Sequence, residues 1–260
     1  MNSRNAQSVP SSFATTRSTF ITATVATFAT LGSIGTAVAQ GNAYSLSNSD
    51  WSGSVTVASD YRFRGLSRSF RDPVVQGGIE LKLPSNFYAG AWGSLIDKQF
   101  FPNASGFETD VYAGYRTMVG DGVTIDVGLI QYMFPFESEY ATLEGYVGAQ
   151  WRWFGVRLNH TLSNKYFRNE DARGSNYLDL SVSYPFTPKL NLLAHYGIMK
   201  VANNDADYVD YKVGVTYDWQ GFTWGASVIG TDIDVFATNV AGRTIKLGGR
   251  GLVVSLSRRF

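Results

Sequence analysis

The chain has 260 residues, 44% of them hydrophobic, yet its mean hydropathy is slightly negative at -0.09. It contains no cysteine, which excludes disulfides and thiolate metal sites, and a formal charge of +1 offers no global basic field for nucleic acid. Abundant Gly, Phe and Tyr with only 17% charged residues suits a transmembrane β-barrel, whose strands alternate lipid-facing and lumen-facing side chains.

The amino terminus reads as an export signal. Arg4 and Arg17 supply positive charge, Phe20 to Leu31 is an apolar run too short to span comfortably, and Ala37-Val38-Ala39 has the small-x-small pattern of a signal-peptidase site. The expected organisation is a signal peptide over residues 1–39, cleaved before Gln40, a polar leader over 40–50 and a barrel over 51–260. Cleavage leaves 221 residues and takes two of the 22 basic residues with it, so 20 bases face 21 acids. No later stretch has the roughly 20 consecutive apolar residues of a spanning helix.

Period-two alternation begins at Trp51. From there to Phe63 one face carries Val55, Val57, Tyr61 and Phe63, and the other carries Ser54, Thr56, Asp60 and Arg62. Val74 to Leu83 sets Val75, Ile79 and Leu81 against Gln76, Glu80 and Lys82. Phe87 to Leu95 returns after Pro84-Ser85-Asn86, a turn signal. Phe107 to Val119 alternates Val111, Ala113 and Tyr115 with Asp110, Tyr112 and Arg116, and Gly120-Asp121-Gly122 leads into Val123 to Tyr132. Further strands read as Tyr140–Trp151, Phe154–Ser163, Tyr177–Tyr184, Leu190–Met199, Tyr208–Trp219, Phe222–Thr231 and Lys246–Phe260.

This gives an all-β fold, an antiparallel up-and-down barrel of about twelve strands, an even number as bacterial barrels require. Connections near 84, 121, 152, 187 and 220 are tight. Those at 64–73, 97–106, 133–139, 164–176, 200–207 and 232–245 are longer and richer in charge, Gly and Asn, as external loops are. Phe87, Trp151, Trp153, Phe154, Tyr184, Phe186, Trp219, Phe222 and Phe260 gather at the short-turn ends. Tyr61, Phe63, Phe107, Tyr132, Phe134, Tyr140 and Tyr208 gather at the long-loop ends, so two interfacial girdles are expected.

The last strand carries Leu252, Val254, Leu256 and Phe260 on one face, ending on a terminal Phe. That resembles the closing strand that the barrel-assembly machinery reads in outer-membrane barrels. Arg258 breaks this apolar face, tolerably if it snorkels to headgroups.

The blocks SDYRFRGLSRS (Ser59 to Ser69), DPVVQGGIEL (Asp72 to Leu81), FYAGAWGS (Phe87 to Ser94), ETDVYAGYR (Glu108 to Arg116), IDVGLIQYMFP (Ile125 to Pro135), EGYVG (Glu144 to Gly148), YLDLSVSYPF (Tyr177 to Phe186) and the closing VVSLSRRF resemble the TorF family, a porin-like outer-membrane family of proteobacteria. The chain departs from the commoner family form at Arg68 and Gly93. The resemblance implies a porin-like barrel in the outer membrane of a Gram-negative bacterium and no established substrate.

If the apolar faces meet lipid, the opposite faces line a lumen with Asp60, Glu80, Asp110, Asp126, Glu144, Asp179 and Asp210 against Arg62, Lys82, Arg116, Arg157 and Lys212. The expected function is passive diffusion of small polar solutes or ions, with a weak selectivity set by these opposed charges. A plugged barrel in which the same groups pair for stability stays open as an alternative, as does a receptor barrel whose loops bind a partner. Arg64, Arg68 and Arg71 in the first loop are candidate contacts for lipopolysaccharide phosphates. An outer-membrane lipid-modifying enzyme is the remaining rival, but neither His160 nor His195 has a serine placed beside it on its own face, so no catalytic or metal residues are assigned. No cofactor is implied. Expected partners are outer-membrane lipid and lipopolysaccharide, the barrel-assembly machinery and small polar solutes.

Overall fold

A computed structural model describes residues 51–97, 106–238 and 242–260. The expected signal peptide, its cleavage site and the polar leader lie outside the described residues. Among the described residues twelve antiparallel strands close into one barrel. They are β1 (Trp51–Ala58), β2 (Val74–Lys82), β3 (Phe87–Leu95), β4 (Phe107–Val119), β5 (Val123–Met133), β6 (Thr142–Trp151), β7 (Phe154–Thr161), β8 (Asn176–Pro185), β9 (Leu190–Lys200), β10 (Tyr208–Trp219), β11 (Phe222–Thr231) and β12 (Gly251–Arg259). Each pairs with its neighbours in sequence, and β12 returns to β1 in register Val57 to Leu256 and Ser54 to Arg259. Closure leaves no exposed sheet edge, as a bilayer demands.

The terminal Phe completes the seam. Its N–H donates to the Gly53 carbonyl at 3.0 Å and its carbonyl accepts from the Gly53 N–H at 2.8 Å, while its ring meets Trp51 edge-on at 5.9 Å. Leu252, Val254 and Phe260 are exposed on the exterior, and Leu256 is partly so. Arg258 breaks that face without disrupting it, because its guanidinium lies over the Phe222 ring at 5.3 Å.

Val55, Val57, Val75, Ile79, Val111, Val127, Leu129, Val147, Leu180, Val213 and Val254 form an exposed apolar belt, the kind of surface a transmembrane barrel presents to lipid. The short-turn girdle is present: Phe87, Trp151, Phe154, Tyr184, Phe186, Trp219 and Phe260 are all exposed. Arg152, Gln220 and Gly221 supply the left-handed backbone those turns need.

The expected girdle at the long-loop end is overturned. Phe107 alone of its members is an exposed exterior ring, whereas Tyr61, Phe63, Tyr132, Phe134, Tyr140 and Tyr208 are buried in one interior cluster with Phe70, Tyr166, Phe167 and Tyr177. The first strand stops at Ala58 rather than Phe63, and the chain then turns into the barrel, so the side-to-side alternation beyond Ala58 no longer maps onto lipid and lumen. The last strand likewise begins at Gly251. Thr244–Lys246 pairs instead with Phe236–Thr238 in a small hairpin of the same loop.

Candidate functional site

The inward face of the barrel divides into two halves. Near the short turns, Ser54, Thr56, Ser181, Lys212, Thr216, Ser227, Ser255 and Ser257 line one wall of strands β8 to β12 and β1 and are partly open to water, whereas Tyr88, Thr124 and Asn191 are buried. Near the long loops, Trp92, Asp110, Ile130, Tyr132, Glu144, Asn159, Tyr177, Met199, Tyr208 and Asp210 are all buried. What covers them is the segment 59–73 between β1 and β2.

This segment is built to fold inward. Arg62–Phe63 and Leu66–Ser67 pair as a two-residue hairpin with Arg64 and Gly65 at its tip, both at positive φ (44° and 83°), the backbone of a tight primed turn. Asp60 holds its base: one carboxylate oxygen accepts from Ser67 and Ser69 hydroxyls at 2.6 and 3.0 Å, and the other from Arg62 Nε at 2.6 Å. The Arg68 N–H closes onto the Tyr61 carbonyl at 2.8 Å, and the Ser67 N–H ties the loop to the Leu247 carbonyl at 3.0 Å. Gly65 is needed twice over. Besides its φ, a Cβ there would sit 2.8 Å from Asp210 Cβ and 3.0 Å from the Gly230 carbonyl. Gly65→Ala is therefore expected to lower the barrel's stability by about 1–3 kcal/mol, checked by urea unfolding of the refolded protein.

Two arginines dock the hairpin onto the wall. Arg64 donates to Glu144 of β6 at 2.8 Å and to the Tyr166 hydroxyl at 2.9 Å, and its guanidinium lies 4.1 Å from the Tyr177 ring centre and 4.9 Å from that of Phe63. Burial opposes its charge, but Glu144 and the Tyr166 and Tyr132 hydroxyls outweigh that and raise its pKa above the ordinary guanidinium value. Glu144 is itself organised by Asn159 at 3.1 Å and the Tyr132 hydroxyl at 3.2 Å. Arg68 pairs with Glu108 of β4 at 2.5 Å among the rings of Phe63, Phe134 and Phe167. Both pairs are fully buried, where breaking one partner is far more costly than at a surface.

Below the hairpin a second band of side chains crosses from the other wall. Arg116 bridges Glu80 at 3.1 Å and Asp126 at 3.3 Å and stacks on Tyr88 at 4.2 Å. Tyr88 also donates to Asp126 at 2.5 Å and meets the Tyr146 hydroxyl, and Arg157 lies over the Tyr146 ring at 3.6 Å. On β8 to β10 His195 is held between Asp179 at 3.0 Å and Asp210 at 2.9 Å, with the Tyr177 hydroxyl at 3.1 Å from Nε2.

The twelve lumen candidates thus separate. Glu80, Lys82, Asp110, Arg116, Asp126, Glu144, Arg157, Asp179, Asp210 and Lys212 stand on the inward faces of strands, while Asp60 and Arg62 belong to the inward hairpin and pair with each other. Arg64 and Arg68 do not reach lipopolysaccharide: at 2% and 0% exposure, each is spent on a buried carboxylate. Arg71 is half-buried and donates to the Lys246 and Gly249 carbonyls at 2.6 and 3.2 Å. From sequence His195 is weighed only for a neighbouring serine and not as a lumen residue, although it shares the inward register of Asn191 and Gly197 and faces acids on both neighbouring strands. His160 lies on the exterior, bonded to Asn176 at 2.9 Å. Each ring nitrogen of His195 meets a carboxylate, and Ser181 is its register partner on β8.

Solved structures share this architecture. The chain is similar to the KdgM porin at TM-score 0.53 and 11% identity, covering 80% of this chain and 99% of that one. The KdgM porin in complex with disordered oligogalacturonate is similar at TM-score 0.51 and 10% identity over 81% and 99%. The NanC porin follows at TM-score 0.50 and 10% identity over 79% and 97%. At such identities the likeness is one of fold. No curated protein matches the chain by sequence. The family model that matches carries a name other than TorF. Its match runs over residues 42–260, most of the chain, and on that footing the protein belongs to the Gcw_chp family, described as a bacterial protein of unknown function.

Proposed function

We propose that this barrel is an outer-membrane channel for small polar solutes, held shut in its outer half by the inward hairpin of residues 59–73. The observation that carries the reading is the division of the lumen. One wall of its periplasmic half, on β8 to β12 and β1, is hydroxyl-lined and partly open to water, the opposite wall is covered by Tyr88, Tyr146 and Arg116, and its outer half is filled by the inward hairpin. A twelve-stranded barrel is intermediate between eight-stranded ones, which side chains fill, and porins of 16 or more strands, which hold an open aqueous channel. An inserted loop is then a sufficient closure.

Oligogalacturonate, bound by the similar KdgM porin, is a polyanion. Here Arg62, Arg64, Arg68 and Arg116 are each matched to a carboxylate, so these four bases do not make a basic track for a polyanion. Neutral and weakly cationic solutes fit this lining better. Lipid and lipopolysaccharide around the belt, and recognition of the Phe260 strand by the assembly machinery, belong to the same proposal. The rival reading, a permanently closed barrel, draws on the same sealed outer half, and separates from this one once the hairpin is removed.

The test is conductance of protein from Gln40 onward, refolded and inserted in planar bilayers. Brief ohmic steps are expected, and Arg116→Gln, which leaves Glu80 and Asp126 unopposed, should shift selectivity toward cations by roughly twofold or more. Electrically silent insertion of both the native barrel and a hairpin-deleted one would sink the channel.

A further inference from the structure

The Arg64 cage has the chemistry of a receptor. Its wall components, Glu144 on β6, Tyr177 on β8, Met199 on β9 and Tyr166 in the loop after β7, come from elements other than the hairpin that fills it. Asn159 and Tyr132 fix the Glu144 carboxylate from the strands as well, so they would hold the acceptor in place with the hairpin withdrawn. A carboxylate at one edge and an aromatic face at 4.1 Å is the environment that a planar, weakly hydrated cation prefers. Arg68 occupies a second such cage on the same loop, with Glu108 for its carboxylate and Phe134 and Phe167 for its rings.

We infer that Arg64 is a tethered stand-in for a solute, and that the cage around Glu144, Tyr166 and Tyr177 binds small guanidinium-bearing solutes, which displace the hairpin and open the channel. The inference rests on the channel reading and gives it a substrate class. The tether fixes the scale on which a free solute competes. A flexible loop would present its arginine at an effective concentration of about millimolar, and the Arg68–Glu108 pair holds this one further, so displacement is expected at about 10 mM or above and not at micromolar concentrations. The selectivity is also fixed: a neutral isostere leaves Glu144 buried without a counter-charge and gains nothing from the aromatic face.

Ethylguanidinium and ethylurea, equal in shape and unequal in charge, are the probes. In the native barrel, ethylguanidinium should raise open probability several-fold while ethylurea leaves it unchanged. In Arg64→Ala the sign reverses. That barrel should conduct without ligand, and ethylguanidinium should refill the vacated cage, restore closure and raise the temperature at which the folded band is lost on heat-modifiable gels. Glu144→Gln should abolish both responses. If Arg64→Ala refolds poorly, its yield with ethylguanidinium in the refolding buffer, against ethylurea, gives the same answer. A hairpin-deleted barrel that conducts, together with native and Arg64→Ala proteins that treat the two probes alike, overturns the cage and leaves the channel standing. A hairpin-deleted barrel that is silent overturns the channel, and the gel shift of Arg64→Ala then decides the cage alone.

Discussion

Replacing Tyr61–Arg71 with a short Gly-Ser linker should turn a closed barrel into an open one. The segment removed contributes Tyr61, Phe63, Arg64, Leu66, Arg68 and Phe70, all of them nearly inaccessible to water, to the interior cluster that fills the outer half. Tyr132, Glu144, Tyr177 and Tyr208 remain on the wall, with the Arg116, Tyr88 and Tyr146 band below them, and a twelve-stranded barrel, wider than the eight-stranded ones that side chains fill, is expected to keep an aqueous path past both. Proteoliposomes carrying the shortened protein should swell in small sugars roughly tenfold faster than those carrying the native one, since a filled section becomes a wet one. Cells expressing it should become sensitive to polar antibiotics that the outer membrane excludes. The strands are untouched, so circular dichroism and heat-modifiable migration should report an intact barrel. Equal swelling rates from two intact barrels would mean that the hairpin is not the barrier.

The second large effect is on stability. Arg68→Ala should cost about 3–5 kcal/mol, because it strands the Glu108 carboxylate in a dry, aromatic-walled site. Asp110, next on the same inward face of β4 and equally buried, adds a second acid to the orphaned one. Glu108→Gln together with Arg68→Met removes both charges while keeping most of the volume, and should recover much of the loss. Urea unfolding of the refolded proteins, read as a double-mutant cycle, gives the coupling directly. A single-variant loss under about 1 kcal/mol would place Arg68 in water rather than in the core.

Much of this fold was legible because a barrel strand repeats one rule. Alternation such as Val75, Ile79 and Leu81 against Gln76 and Glu80 sets inside from outside, and Gly120-Asp121-Gly122 or Gln220-Gly221 marks where a strand must reverse. The exterior aromatics at the short turns were legible for the same reason, since a tight turn leaves the chain nowhere else to go. The inward hairpin was hidden by the limit of that rule. Tyr61 and Phe63 continue the spacing of Val55 and Val57, and nothing in the spacing says that the strand ends at Ala58. The available clue was chemical: three arginines interleaved with Tyr61, Phe63, Leu66 and Phe70 are too apolar a company for a solvated loop. Glu144, read as a lumen acid, and Glu108, which was not among those candidates, supply the complementary charges, but which arginine meets which acid depends on tertiary contacts between residues as far apart as 64 and 144.

The most direct test of a lumen shut at one end uses the absence of cysteine from the chain. Single variants Ser257→Cys, on the hydroxyl-lined wall, and Ser67→Cys, in the hairpin, are exposed to a charged thiol reagent added from one side of a sealed vesicle at a time. The account predicts rapid modification of Ser257→Cys from the short-turn side only, and protection of Ser67→Cys from both sides until urea loosens the hairpin. Fast labelling of Ser67→Cys from the long-loop side in the native barrel would contradict it.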